Sequence, residues 1–279
     1  MFRRASLLVY LLLCIVPLLL GLGYVLAYSF GLIGLLNHGF TTAHWRAVLL
    51  DKTFWQSLGY SLYIALACMS IVVVVSAALL AGFRKNLTQG FLSAFIYLPL
   101  TLPAIVAAFV CFQLWSKSGL ISRMVYQVGW IANLDQFPEW INDAWGLGII
   151  FTHTFMATPF FTLLFLQVYE REKIQRLEQL AFTLGATPRQ AWLKVTAPIL
   201  WRKSFFSILL YLVFVMGAYE TPLLLGRQSP EMIAPLIIRK LQKFNLLDMP
   251  QAYVISAAYL LLLMGFGGLV FSKIKTRMA

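Results

Sequence analysis

Acidic residues are scarce in this chain: 10 Asp and Glu stand against 22 Lys and Arg in 279 residues, and charged residues of all kinds make up 11%. A soluble domain carries roughly a quarter charged residues, so a water-facing globule is excluded. Cysteine is rare too. Cys14, Cys68 and Cys111 each lie inside an apolar run at no shared spacing, which excludes a disulfide framework and a thiolate metal site. The three histidines, His38, His44 and His153, show no H-E-x-x-H spacing and no cysteine neighbours, so no metal centre is expected. A G-x-x-x-x-G-K-[ST] loop is missing, and with it any means of cradling ATP phosphates. No G-x-S-x-G elbow or paired-carboxylate motif occurs within the apolar runs. An enzyme is not expected, and neither is a chain that powers itself.

What is abundant is apolar surface. Hydrophobic residues make up 61% and the mean hydropathy is +0.81, which marks an all-α, polytopic membrane protein. The net charge of +12 does not point to nucleic acid, because the basic residues sit at the ends of apolar runs rather than in a patch interleaved with aromatics. Lipid is the expected surrounding.

Six spans are expected, at about 5–30, 56–83, 90–115, 145–169, 201–225 and 251–271, within a single domain over 1–279. The first follows Arg3 and Arg4 and is too long for the 7–15-residue apolar core of a signal peptide. In the third, Pro99 and Pro103 flank Thr101; two prolines remove two backbone donors and bend the helix. The fourth holds His153 and Thr158-Pro159, and the fifth holds Glu220-Thr221-Pro222 near its outer end. Ionisable and helix-breaking residues inside a bilayer are tolerated where they face protein or a water-lined cavity. Pro99, Thr101, Pro103, Thr158, Pro159, Glu220, Thr221 and Pro222 are therefore the candidates for lining a translocation path. A short interfacial helix is expected over 121–134, and Trp55, Trp115, Trp145 and Trp201 stand at expected span ends.

Orientation follows from Lys and Arg. Fourteen lie on the side that carries both termini and the 170–200 segment, from Arg3 to Arg277, and eight on the other, from Arg46 to Lys243. The richer side is cytoplasmic by the positive-inside rule, so both termini are expected inside.

The 170–200 segment reads as helix, turn, helix. Leu177, Leu180, Ala181 and Leu184 recur at i, i+3, i+4 and i+7, an apolar stripe on one helical face. Gly185 follows where a helix prefers to end in the left-handed region. Thr187, Pro188 and Gln190 then form a capping-box pattern, with Ala191, Trp192, Val195 and Ile199 continuing an apolar face.

This segment resembles the cytoplasmic EAA loop of permease subunits of binding-protein-dependent ABC importers. Gly185-Ala186 stand for the family's Gly-Ala pair and Ala197-Pro198 for its Leu-Pro pair. Gln179-Leu180-Ala181 stand for Glu-Ala-Ala, with Glu178 one place earlier, so the acidic position falls on Gln179. The stretches around Tyr97–Pro103, Thr158–Phe160, Ala218–Gly226 and Leu247–Ala252 are similar to permeases of the spermidine/putrescine-type branch. The resemblance implies a type I importer permease in a bacterial inner membrane. Its expected partners are a second permease subunit, two cytoplasmic ATPases that carry the ATP, and an external substrate-binding protein. The loop would couple the ATPases to the spans, and the cargo would be a polyamine or another small solute. The alternative is a secondary transporter or channel driven by an ion gradient; the absence of visible internal repeats speaks against matched halves.

Overall fold

The computed structural model describes residues 9–34, 39–88, 91–243, 245–246 and 248–278. Arg3, Arg4, the first residues of the expected first span, His38, Gly90 and Leu247 lie outside the described residues, as do the side chains of Lys85, Lys273, Lys275 and Arg277.

Among the described residues every regular element is helical. In chain order these are α1 (Leu11–Ser29), α2 (Ala43–Leu50), α3 (Lys52–Thr88), α4 (Phe91–Thr101), α5 (Ala104–Trp115) and α6 (Leu120–Gln127). They continue as α7 (Leu147–Arg171), α8 (Ile174–Thr183), α9 (Pro188–Met216), α10 (Glu220–Leu225), α11 (Ile233–Gln242) and α12 (Asp248–Met278). Among the described residues six stretches are long and apolar enough to cross a membrane: Leu11–Ser29, Lys52–Arg84, Ala104–Gln127, Leu147–Arg171, Pro188–Met216 and Asp248–Gly268.

Several expected boundaries move. The third span is two helices, because the chain leaves the helix at Leu102–Pro103 and Pro103 takes an extended ψ of 146° before α5 begins. Pro99 stays inside α4. The apolar stretch then runs on from Ala104 through a turn into α6, which is shorter than the expected 121–134 helix. The fifth span does not start at Trp201 or reach Leu225. It is continuous with the second helix of the 170–200 segment and stops at Met216, where Gly217 to Tyr219 separate it from α10. Trp201 is thus inside a helix rather than at its end. Pro222 falls in the first turn of α10, where a missing N–H costs nothing.

Two π turns were not anticipated, and both have the same cause. They cover Leu11–Ile15 in α1 and Trp192–Thr196 in α9, and each ends two residues before a proline, Pro17 and Pro198. An α-helical proline loses its own hydrogen bond and crowds the carbonyl four residues back. Widening the preceding turn relieves that crowding while keeping the helix unbroken.

By packing, the described residues fall into two compact units, one drawn from 1–59 with 233–279 and the other from 60–232. In the first, α12 packs on α1, α2 and α11. Its core is Val48, Phe54, Ile233, Leu236, Val254 and Ile255, and the Tyr28 and Tyr253 rings stack at 4.2 Å. The buried Lys240 ammonium donates to Gln251 Oε1 at 2.7 Å. In the second unit α7 is the central element. It packs against α4, α5, α8, α9 and α10, and its Ala157, Phe161, Phe165 and Tyr169 meet Met69, Val72 and Leu80 of α3. Ser76 Oγ of α3 donates to the Thr158 carbonyl at 3.1 Å.

Packing should outweigh that hydrogen bond. In a bilayer the transfer part of burial is absent because lipid is itself apolar, but an unfilled cavity still loses dispersion contacts. At about 24 cal/mol per Å3, a cavity of about 100 Å3 left by Phe161→Ala costs about 2 kcal/mol. Ser76→Ala should cost about 0.6 kcal/mol. Denaturant unfolding of the two variants in micelles measures both.

Candidate functional site

The segment between α7 and α9 is built from local rules. α7 ends with Glu172 as its cap, and Lys173, at a positive φ of 52°, redirects the chain into α8. α8 closes in a Schellman motif: the Ala186 N–H bonds the Ala181 carbonyl and the Gly185 N–H bonds the Phe182 carbonyl, each at 3.0 Å. This requires Gly185 at a φ of +84°. Thr187 then caps α9 with the full box, its Oγ1 accepting from the Gln190 N–H while its own N–H donates to Gln190 Oε1 at 2.9 Å. Pro188 follows at the first helical position.

Ile174 and Glu178 face the body of the unit. Ile174 is fully buried in the core of α3, α7 and α9. The Glu178 side chain is 15% exposed and uses both oxygens. Oε1 accepts from Thr196 Oγ1 at 2.5 Å, and Oε2 accepts from the Tyr169 hydroxyl at 2.5 Å. The Arg84 guanidinium, at the end of the second expected span, lies 3.5 Å from Oε2 and 4.4 Å from the Tyr169 ring centroid. Such short hydroxyl–carboxylate bonds are charge-assisted and stronger than neutral ones. An outer tie joins Lys203 to Glu172 at 2.8 Å, but Lys203 is exposed and Glu172 partly so, and it contributes little.

The opposite face is bare. Leu177, Leu180 and Leu184 are exposed, Leu184 by 82%, with Ala181 and Ala186 half-buried beside them. Gln179 is exposed and turned away from the network that holds Glu178. A Cβ added at Gly185 would meet nothing within 4 Å. The stripe read from the sequence is a real apolar face, but this chain does not cover it. Behind the segment, Val73, Ala77, Phe165, Trp192, Leu193, Ala197, Pro198, Leu200 and Trp201 line an apolar cavity of about 340 Å3.

The candidate path residues differ in exposure. Pro99, Pro159, Thr221 and Pro222 are buried; Thr101, Pro103 and Glu220 are exposed. Thr158 is half-buried, with its hydroxyl on the Thr154 carbonyl and its own carbonyl taken by Ser76. The Thr101 hydroxyl is bound within its helix to the Leu98 carbonyl. His153 is buried, and its Nε2 has no hydrogen-bond partner. The sequence reading missed Arg84, Tyr169 and Thr196 as partners of Glu178; the only signal was that Arg84 and Tyr169 end expected spans on the side that carries Glu178.

Residues 74–274 match the family model described as the binding-protein-dependent transport system inner membrane component. The chain is 27% identical over 222 residues to the sulfate transport system permease protein CysT of Synechocystis sp., covering 74% of this chain and 72% of that protein. It is 25% identical over 234 residues to a probable sulfate transport system permease protein of Nephroselmis olivacea, covering 77% and 78%. Its fold matches a bacterial ABC transporter involved in the import of the acidic polysaccharide alginate, with a TM-score of 0.69 at 17% identity over 98% of this chain and 94% of that one. Members of this family are membrane components of transporters rather than enzymes, and membership removes the ion-gradient-driven alternative. With the family model spanning well over half its length, this multi-pass helical chain belongs to the inner-membrane permease components of binding-protein-dependent ABC importers.

Proposed function

We propose that this chain forms half of the translocation pathway of an importer and receives its drive through the face of α8 and the turn after it. The observation that carries the reading is the pairing of opposites in one short helix. Its inner side is anchored by Ile174 and Glu178, while Leu177, Leu180 and Leu184 stand uncovered on the outer side. A face of that kind on a fixed element is suited to seating in a groove of another protein.

The partner is a cytoplasmic ATPase, present twice, which binds the ATP that this chain has no loop to hold. A second permease subunit, either a copy or a paralogue, completes the path, and an external binding protein delivers the cargo. The excess of Lys and Arg on the side of the 170–200 segment supports cytoplasmic termini and a cytoplasmic loop. Exposed Thr101, Pro103 and Glu220 remain the path candidates; the buried prolines shape helices instead. For the cargo, the sulfate systems among the relatives favour a small tetrahedral oxyanion. The polyamine suggested by the likeness to the spermidine/putrescine branch gains nothing from them.

Three outcomes test this. A tagged chain purified in mild detergent should retain an ATPase subunit, and Leu180→Ser with Leu184→Ser should reduce its recovery by about tenfold, the effect of about 1.4 kcal/mol. Membrane abundance should hold, since both side chains are exposed; unchanged recovery would sink the docking surface.

At Gly185 two constraints separate. Gly185→Ala introduces left-handed strain of roughly 1–2 kcal/mol, whereas Gly185→Asn is better tolerated in that conformation. Uptake should survive Gly185→Asn and be lost in Gly185→Arg, whose Cβ meets nothing within 4 Å in this chain and whose longer side chain is expected to reach the partner. Equal uptake by both would remove the partner contact.

Vesicles holding the complete transporter should take up radiolabelled sulfate, with molybdate or thiosulfate competing and putrescine without effect. Uptake of putrescine instead would overturn the oxyanion reading.

A further inference from the structure

We infer that Glu178 is the positioning residue of the coupling element, the group that makes α8 move as one body with the ends of three spans. The inference rests on the docking reading above, but it concerns the hidden side of the same helix. A carboxylate on a loop helix ordinarily points to water or to a partner. Glu178 points inward, while its neighbour Gln179 occupies the outward position. Its three contacts belong to three different helices: Arg84 to α3, Tyr169 to α7 and Thr196 to α9. Tyr169 and Thr196 are themselves buried, at 3% and 0% exposure, so neither donor can swing away to water.

The rest of α8 has little else to hold it. Ile174 is its one buried residue, and a free helix of ten residues is marginal in water. Any push on the leucine face therefore reaches the spans through Ile174, through the chain ends, and through the Glu178 carboxylate. Ile174 is a greasy contact that permits sliding. The carboxylate is directional, fixed at both oxygens, and its partners come from all three spans. Removing it leaves the exposed face intact and the spans packed, but separates the input from the output. Glu178 thus acts through its neighbours and touches neither ATP nor cargo.

The test uses the complete transporter in lipid vesicles, with the ATPases and the binding protein present. Glu178→Ala should retain the ATPase in normal amount and continue to hydrolyse ATP. Cargo moved per ATP should fall by about tenfold, the scale of one lost charge-assisted hydrogen bond. Tyr169→Phe and Thr196→Val each remove one donor and should fall less. Rescue gives the readout that a purely structural role would not move. Glu178→Cys with Thr196→Cys, in a Cys14→Ser background, should be uncoupled until a short bifunctional thiol reagent bridges the pair, and coupled afterwards. Full coupling in Glu178→Ala, or a bridged pair that stays uncoupled, overturns the inference. Loss of the ATPase from Glu178→Ala would also overturn it, by placing the residue in the docking surface. Failure of the wild-type chain to bind an ATPase is a different result and counts against the docking reading itself.

Discussion

Hydrocarbon offers an unpaired peptide group no water to bind, and each break in the helices of this chain is arranged around that fact. Proline removes a backbone donor; Pro99 and Pro159 are carried within α4 and α7, and elsewhere the chain meets proline in three ways. At Pro103 the helix stops and a new one begins; at Pro222 the proline sits in a first turn, where no donor is needed. At Pro17 and Pro198 the helix continues by opening one turn to π geometry. At Pro198 the helix that continues joins the 170–200 segment to a span.

Continuity there has a counterpart in exposure. The core of the 60–232 unit is apolar and packed around α7, while the segment that follows α7 leaves three leucines uncovered. Uncovered apolar residues on an anchored helix are the feature on which the docking proposal rests. The polar contacts are spent on the inner side, where Glu178 satisfies two hydroxyls and faces a guanidinium.

Much of this could be read from the residues. Apolar length gave away the spans, and the Schellman glycine and the capping box around Gly185 and Thr187 are local features whose chemistry is complete within a few positions. Boundaries set by tertiary accommodation were not legible. Ala197-Pro198 looks like the start of something new, yet the π turn absorbs the proline and the helix runs through. The break at Gly217 to Tyr219 lies in an apolar stretch that hydropathy reads as continuous. Glu178 was hidden for another reason: Arg84 is 94 positions away in sequence and Thr196 is 18, so no local pattern ties them together. The loop's acidic position fell on Gln179 by register, while the carboxylate with partners is its neighbour.

The π turn in α9 also sets an angle. Trp192 and Trp201 are nine positions apart, and at about 100° per residue an unbroken α-helix would point them to opposite sides. The widened turn takes back about one residue's worth of rotation, and both indoles line the same cavity. A single inserted step thus works like the keyway on a shaft. It fixes the azimuth at which the first turns of α9 are mounted relative to its span, so a family of such permeases could re-aim the exposed face of the 170–200 segment by gaining or losing one residue, with the length of the rod almost unchanged.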